Sequence, residues 1–331
     1  MLASLRRAGA LLAIAASTWL AATPAAAGPY SSLTVFGDSL SDTGNIYTLT
    51  GNTFPSTPYQ PGRFSDGPVW IDVLAAGLGL PMGATPSLLG GNNYAYGGAR
   101  TGLTGNALNP FDPPGVYKQV RDLWAPANPS ADASGLYVVV GAGNDMRDAR
   151  SQVGGDDSTR QTAAEQAAQN IEDSVALLAS LGARTVMIST LPDLGATPEA
   201  FFLGKVAESS DATARYNAEV MAIEGTLEAL FADLDVIVFD MAGIAADIRA
   251  NPSAFGFTNV GLPCDLFPPF PGGPTGGACG TSLFSDSLHP SGAAHAILGR
   301  AALAQAVPVP ATLPLLALGL TGLVLVRRRA A

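Results

Sequence analysis

This sequence is short of the groups on which much protein chemistry rests. Of its 331 residues only two are histidine, His289 and His295, and only two are cysteine, Cys264 and Cys279. Their spacing matches no zinc motif, so no metal site is expected. Positive charge is scarce as well. Two of the 17 Lys and Arg fall in residues 1–27 and three in residues 307–331. The segment between therefore sets 12 basic residues against all 27 Asp and Glu, a net charge of −15. So acidic a surface argues against nucleic acid as a partner and against anionic lipid headgroups as long-range attractors. Gly141-Ala142-Gly143 lacks the third glycine of a dinucleotide fingerprint, because Met146 occupies that position. No G-x-S-x-G elbow occurs, which disfavours the usual α/β-hydrolase design. There is no internal repeat.

What is present divides into two apolar ends and a long middle. Arg6 and Arg7 precede an apolar run, Ala8 to Ala22, and Ala25-Ala26-Ala27 reads as a cleavage site. Residues 1–27 are therefore expected to be a signal peptide and the protein to be exported to the periplasm, cell surface or medium. At the other end Val307-Pro308-Val309-Pro310-Ala311 leads into an apolar run to Val326, followed by Arg327, Arg328 and Arg329. That run is shorter than the roughly 20 residues that span a bilayer comfortably. The layout of 307–331 resembles the PEP-CTERM sorting signals of Gram-negative bacteria, in particular the V-P-L-P-A subtype, with Val309 in place of its Leu. The resemblance implies an exosortase-like processing partner. A short membrane anchor is the plainer alternative.

Residues 28–306 fit one domain with a sizeable core. Continuous apolar runs predict strands at Leu33–Phe36, Leu136–Val140, Thr185–Ser189 and Val236–Phe239, with Asn93–Tyr96 a weaker candidate. Helix signals fall between them. Val69–Leu78 follows Asp66-Gly67-Pro68, read as a cap and a first-turn proline. Tyr117–Trp124 is short. Thr159–Leu181 has Ser158 as cap and Gln161 to complete a capping box, and Gly182 ends it. Asp211–Phe231 and Ser291–Ala306 complete the set. Alternation of this kind predicts an α/β fold, a three-layer α/β/α sandwich on a mainly parallel sheet of flavodoxin-like type. Ligands of such sheets sit at the carboxyl ends of the strands. Ser39, Asn144 and Asp193 all fall just after a predicted strand.

The scarcity of histidine narrows the chemistry. Val35-Phe36-Gly37-Asp38-Ser39-Leu40 ends a strand in a sharp turn that presents Ser39. A serine hydroxyl becomes a nucleophile only beside a base. His289 lies in Asp286-Ser287-Leu288-His289-Pro290, with a carboxylate three residues before it. Asp286 can hold Nδ1 and leave Nε2 facing Ser39, which assembles a Ser-His-Asp triad. His295 has no nearby sequence carboxylate and is read as structural. Asp38 and Asp42 read as caps of the segment that follows. Taken alone, Ser39 is also an ordinary turn residue.

Four segments in order tip that balance. Gly37-Asp38-Ser39-Leu40, Asn93-Tyr94-Ala95-Tyr96-Gly97-Gly98-Ala99, Gly141-Ala142-Gly143-Asn144-Asp145 and Asp286-Ser287-Leu288-His289-Pro290 resemble the four blocks of the GDSL, or SGNH, hydrolase family. Gly62-Arg63-Phe64-Ser65-Asp66-Gly67 and Leu191-Pro192-Asp193-Leu194-Gly195-Ala196-Thr197-Pro198 resemble its lipase/acylhydrolase branch. The resemblance implies a cofactor-free carboxylic-ester hydrolase with Ser39, Asp286 and His289 as catalytic residues. It also implies an oxyanion hole formed by the Ser39 N–H, the Gly98 N–H and the Asn144 side chain, with Gly97 the alternative to Gly98. Short- or medium-chain acyl esters are the expected substrates. An acyltransferase or a carbohydrate acetylesterase would use the same site, and a non-catalytic surface or matrix binding protein is the rival of another class.

Export makes a Cys264–Cys279 disulfide the default, stapling a Pro/Gly-rich loop just before Asp286. Tyr47, Phe54, Tyr59, Phe64 and Phe111 lie in long loops, where two readings stay open: an acyl-binding groove, or small satellite cores. The oligomeric state is not legible.

Overall fold

The structure, a computed structural model, describes residues 28–105, 111–151 and 156–307. The expected signal peptide and all but the first residue of the expected tail lie outside the described residues. Among the described residues no helix is long and apolar enough to cross a membrane.

Four parallel strands, β1 (Leu33–Phe36), β2 (Leu136–Val139), β3 (Thr185–Ser189) and β4 (Asp235–Phe239), form a sheet in that order. The weak candidate at Asn93 flanks β1 on its other side. It pairs with β1 through a single parallel bridge, Val35 with Asn93, extended by Tyr94 N–H to Val35 O at 2.7 Å and Tyr96 N–H to Gly37 O at 3.1 Å. Counting that segment, the order along the sheet is the flavodoxin-like one, with the second strand outside the first. A small parallel pair, β5 (Asn259–Pro263) and β6 (Ser282–Phe284), stands apart.

The strands are apolar throughout because both faces are covered. Alternate residues point to opposite sides. Phe36, Tyr137, Val139, Val186, Ile188 and Val236 enter one core. That core is filled from α5 (Asp157–Ser180), α7 (Val206–Leu230) and the helical stretch made of α3 (Val116–Lys118) and the π-helix Gln119–Trp124. Leu33, Val35, Leu136, Val138, Met187 and Phe239 enter the second core, closed by α2 (Trp70–Leu78) and α9 (Gly292–Ala306). The result is the three-layer sandwich.

Several elements depart from the sequence expectation in detail. The long helix begins two residues early because Asp156, not Ser158, caps it, accepting from Thr159 N–H at 3.0 Å. Gln161 turns outward to Glu165 and Glu219. Asp66 does not cap α2; Asp72 reaches back to Val69 N–H at 2.9 Å instead, and Asp66 serves another loop. Helix α7 starts five residues before Asp211. Among the described residues four α-helices escaped the pattern: α1 (Asn45–Leu49), α4 (Gly143–Ser151), α6 (Pro198–Phe202) and α8 (Met241–Ala250). Three of these are short or polar, and α8 is alanine-rich, so none shows a sharp 3.6-residue apolar period.

Candidate active site

The carboxyl ends of the strands collect the expected residues. After β1 the chain turns at Gly37, whose N–H and C=O are both clamped by the buried side-chain amide of Gln119, each at 2.8 Å. Asp38 accepts Leu40 N–H at 3.0 Å. Asp42 accepts the N–H groups of Gly44 and Asn45 at 2.7 Å and of Ile46 at 3.2 Å. Both are caps, and together they hold Ser39 on a rigid turn. Burial pushes the Asp38 carboxyl up to about 6, against the opposing pull of the Leu40 N–H.

Asp42 also accepts the N–H of Gly97 at 2.8 Å. That bond engages the Gly97 N–H, and Gly98, at φ +84°, follows it in the left-handed region that suits glycine. Among the described residues, neither Gly98 N–H nor Ser39 N–H donates to another group. Asn144 sits in the first turn of α4. Its amide nitrogen donates to Ala99 O at 2.9 Å, and its oxygen accepts from Arg147 at 3.1 Å, which fixes the amide's orientation and leaves one N–H. Ala142, between two glycines, itself holds φ +82°. A non-glycine residue there is a strained feature beside the site.

The last block closes the constellation. Ser39 Oγ lies 2.9 Å from His289 Nε2, and His289 Nδ1 lies 2.7 Å from Asp286 Oδ2. Asp286 Oδ1 accepts the N–H groups of Leu288 at 2.7 Å and His289 at 2.6 Å. Burial pushes the Asp286 carboxyl up, but His289 and these hydrogen bonds outweigh it and hold the group down to about 2. His295, six residues on, is buried in α9. Burial drives it down to about 3, and its Nδ1 accepts Trp70 N–H at 3.3 Å.

Two supports were not legible in advance. Asp66 accepts Ser285 Oγ–H at 2.6 Å and Gly292 N–H at 2.9 Å, bracketing the 286–290 loop. Tyr59 donates to Asp286 at 2.5 Å. Gly62–Gly67 was singled out by resemblance without a task; clamping this loop is its task. Cys264 and Cys279 are joined in a disulfide beneath it.

A cavity of about 320 Å³ opens at Ser39 and His289 and is walled by Leu191, Leu194, Ala245, Ile248, Phe284 and Leu298 among others. None of the five loop aromatics lines it. Phe54 packs on Phe64 and Phe111, with ring centroids 5.6 and 6.3 Å apart, and Phe64 lies 5.5 Å from His289. Phe64 is buried with Ile46 and Tyr96 in a small cluster, whereas Phe54 and Phe111 stay exposed. Among the described residues no group of three or more His, Cys, Asp or Glu is placed to hold a metal ion.

The profile of the GDSL-like lipase/acylhydrolase family matches residues 33–302. The chain belongs to that family. Esterase EstA of Pseudomonas aeruginosa is 30% identical over 309 residues, which cover 82% of this chain and 46% of EstA. The phosphatidylcholine-sterol acyltransferase of Aeromonas hydrophila is 27% identical, over 71% of this chain and 65% of that protein. The chain spans about half the length of the first curated relatives it matches. Among solved structures, Est24, a carbohydrate acetylesterase from Sinorhizobium meliloti, superposes with a TM-score of 0.44 at 16% identity, covering 82% of this chain and 96% of that one.

Proposed function

We propose that this GDSL-family chain is a serine carboxylic-ester hydrolase that works through an acyl-enzyme on Ser39. The observation that carries the reading is the unbroken line from Ser39 Oγ through His289 to Asp286 at the mouth of an apolar cavity. His289 Nε2 takes the Ser39 proton as Oγ attacks the ester carbonyl. The oxygen gains negative charge, and the Ser39 N–H, the Gly98 N–H and the remaining Asn144 N–H are the donors for it. His289 then protonates the leaving alcohol, and water, activated by the same histidine, releases the acid. Asp286, kept ionised, steadies the imidazolium in both halves.

The apolar cavity suits a short- or medium-chain acyl group better than a sugar. The same acyl-enzyme passes its acyl group to an alcohol if one outcompetes water. The acyltransferase name of the Aeromonas relative favours keeping that second reading. We also propose export: residues 1–27 read as a signal peptide, and the Cys264–Cys279 disulfide fits an oxidising compartment. The tail, residues 307–331, would then be a sorting segment for an exosortase-like enzyme. A length series of nitrophenyl esters tests the substrate, with hydrolysis expected to peak below long-chain acids. Absence of hydrolysis at every length, together with no fluorophosphonate labelling of Ser39, would refute the enzyme and leave a binding protein.

A further inference from the structure

Tyr59 stands outside the three residues to which the reaction is assigned, yet it touches one of them at the working atom. Its hydroxyl donates to Asp286 Oδ2 at 2.5 Å, and this is the oxygen that faces His289 Nδ1 at 2.7 Å. The other carboxylate oxygen is taken up by two N–H groups of the loop itself. Of the donors to Asp286, Tyr59 alone comes from a distant part of the chain, 227 residues away. It is held rigidly. Its ring lies 4.6 Å from that of Phe267, which packs with the Cys264–Cys279 pair. Cys264 N–H in turn donates to Phe284 O at 3.1 Å and Ser285 O at 3.0 Å, the residues that lead into Asp286. The disulfide loop and Tyr59 thus grip the same carboxylate segment from two sides. Burial and the charge of Asp286 push the Tyr59 phenol well above its ordinary value, so it remains a donor at any working pH.

We infer that Tyr59 is a positioning residue for the Asp286–His289 pair: its hydroxyl fixes Oδ2 in line with Nδ1 and draws off part of the carboxylate's charge. The inference rests on the esterase reading above. Removing the hydroxyl has two consequences. Oδ2 loses a restraint, so the imidazole spends less time aligned with Ser39 and kcat falls. The carboxylate also loses a partner for its lone pair, so it is less firmly held against Nδ1. Because Tyr59 does not line the cavity, KM should not move.

The test is Tyr59→Phe, which keeps the ring on Phe267, assayed with a nitrophenyl ester from pH 5 to 9. Expected are a loss in kcat of about tenfold, about 1.4 kcal/mol of transition-state stabilisation, and an unchanged KM. Asp286→Ala supplies the second arm: in that background Tyr59→Phe should change kcat by less than twofold, since the group it acts through is gone. An equal loss in both backgrounds, or a loss carried by KM, overturns the inference and makes Tyr59 a packing residue only. A wild-type protein with no esterase activity overturns the underlying reading and the inference with it. An active wild type with an unaffected Tyr59→Phe overturns the inference alone.

Discussion

The two loops that meet at the site are built differently. The nucleophile turn, Gly37 to Asn45, carries many of its own bonds, beside the Gln119 clamp on Gly37. Asp38 and Asp42 cap the backbone that follows them, and most of those bonds join residues two to four apart. The acid–base loop, Ser285 to Ser291, also bonds within itself through Asp286, but it is fixed in space by residues more than 200 positions away, Asp66 and Tyr59. Both loops thus combine local bonds with distant ones, since Gln119 clamps Gly37 and Gly97 donates to Asp42, but the distant groups on the acid–base loop act on the segment and carboxylate that hold the histidine itself. A local defect in the first should therefore destroy chemistry with little cost to folding. A defect in the supports of the second should loosen the histidine and weaken the protein together.

The largest expected effect tests the first half of that contrast. Ser39→Ala should cut kcat by roughly 10⁴-fold or more and abolish fluorophosphonate labelling, with a melting temperature within a degree or two of wild type. Undiminished labelling of the variant would remove Ser39 from the role. Next comes Asn144→Ala, where kcat should drop roughly 10²–10³-fold with KM little changed. A mainly KM effect would place Asn144 on the ground-state substrate instead.

Support of the acid–base loop is expected to show smaller and mixed effects. Asp66→Ala removes the acceptor of the Gly292 N–H and the shortest partner of the Ser285 hydroxyl, so it should lower stability by about 1–3 kcal/mol and slow hydrolysis by roughly tenfold. If activity fell with no change in denaturation midpoint, the clamp would be catalytic rather than structural. Replacing both Cys264 and Cys279 by serine opens a loop of 15 residues, worth about 3 kcal/mol in the chain-entropy model. Chemical denaturation of the double variant measures it, and a change below 1 kcal/mol would show that the loop is held by packing instead.

The same contrast explains what could be read from the residues. Strands β1 to β4 were legible because they are buried on both faces and so lack polar interruptions. Ser39, Asp286 and His289 were legible because histidine is so scarce and because short spacing encodes local bonds. Asp66, Gln119 and Tyr59 were not, since an Asp, Gln or Tyr in a loop carries no periodicity and its partner is chosen by tertiary packing. Two open readings turn on tertiary geometry that the sequence does not carry: the Gly97 N–H goes to the Asp42 carboxylate, and the five loop aromatics are absent from the lining of the cavity at Ser39. The start of α5 was misplaced by two residues because Asp156 and Ser158 are both good caps and only the fold selects one.

The smallest effect at neutral pH concerns the second histidine, and its sign can be worked out. His295 is buried and 1% exposed, and its Nδ1 accepts Trp70 N–H, so the ring is neutral with its proton on Nε2. Burial drives it from the model-peptide 6.5 down to about 3. The folded state therefore binds fewer protons than the unfolded state between those values. Stability from this group is fully present above about pH 6.5 and is lost as pH falls towards 3, at up to about 1.4 kcal/mol per pH unit. Asp38, which burial raises, has the opposite sign, but it is common to wild type and variant. His295→Gln keeps an acceptor for Trp70 N–H and does not titrate. At pH 7 it should retain most activity and be modestly less stable than wild type. On acidification the wild type should lose its advantage, so that the gap in unfolding free energy narrows and then reverses. A gap that stays constant from pH 7 to 4 would mean that His295 is protonated as easily in the folded protein as in the unfolded one, and its burial in α9 would have to be abandoned.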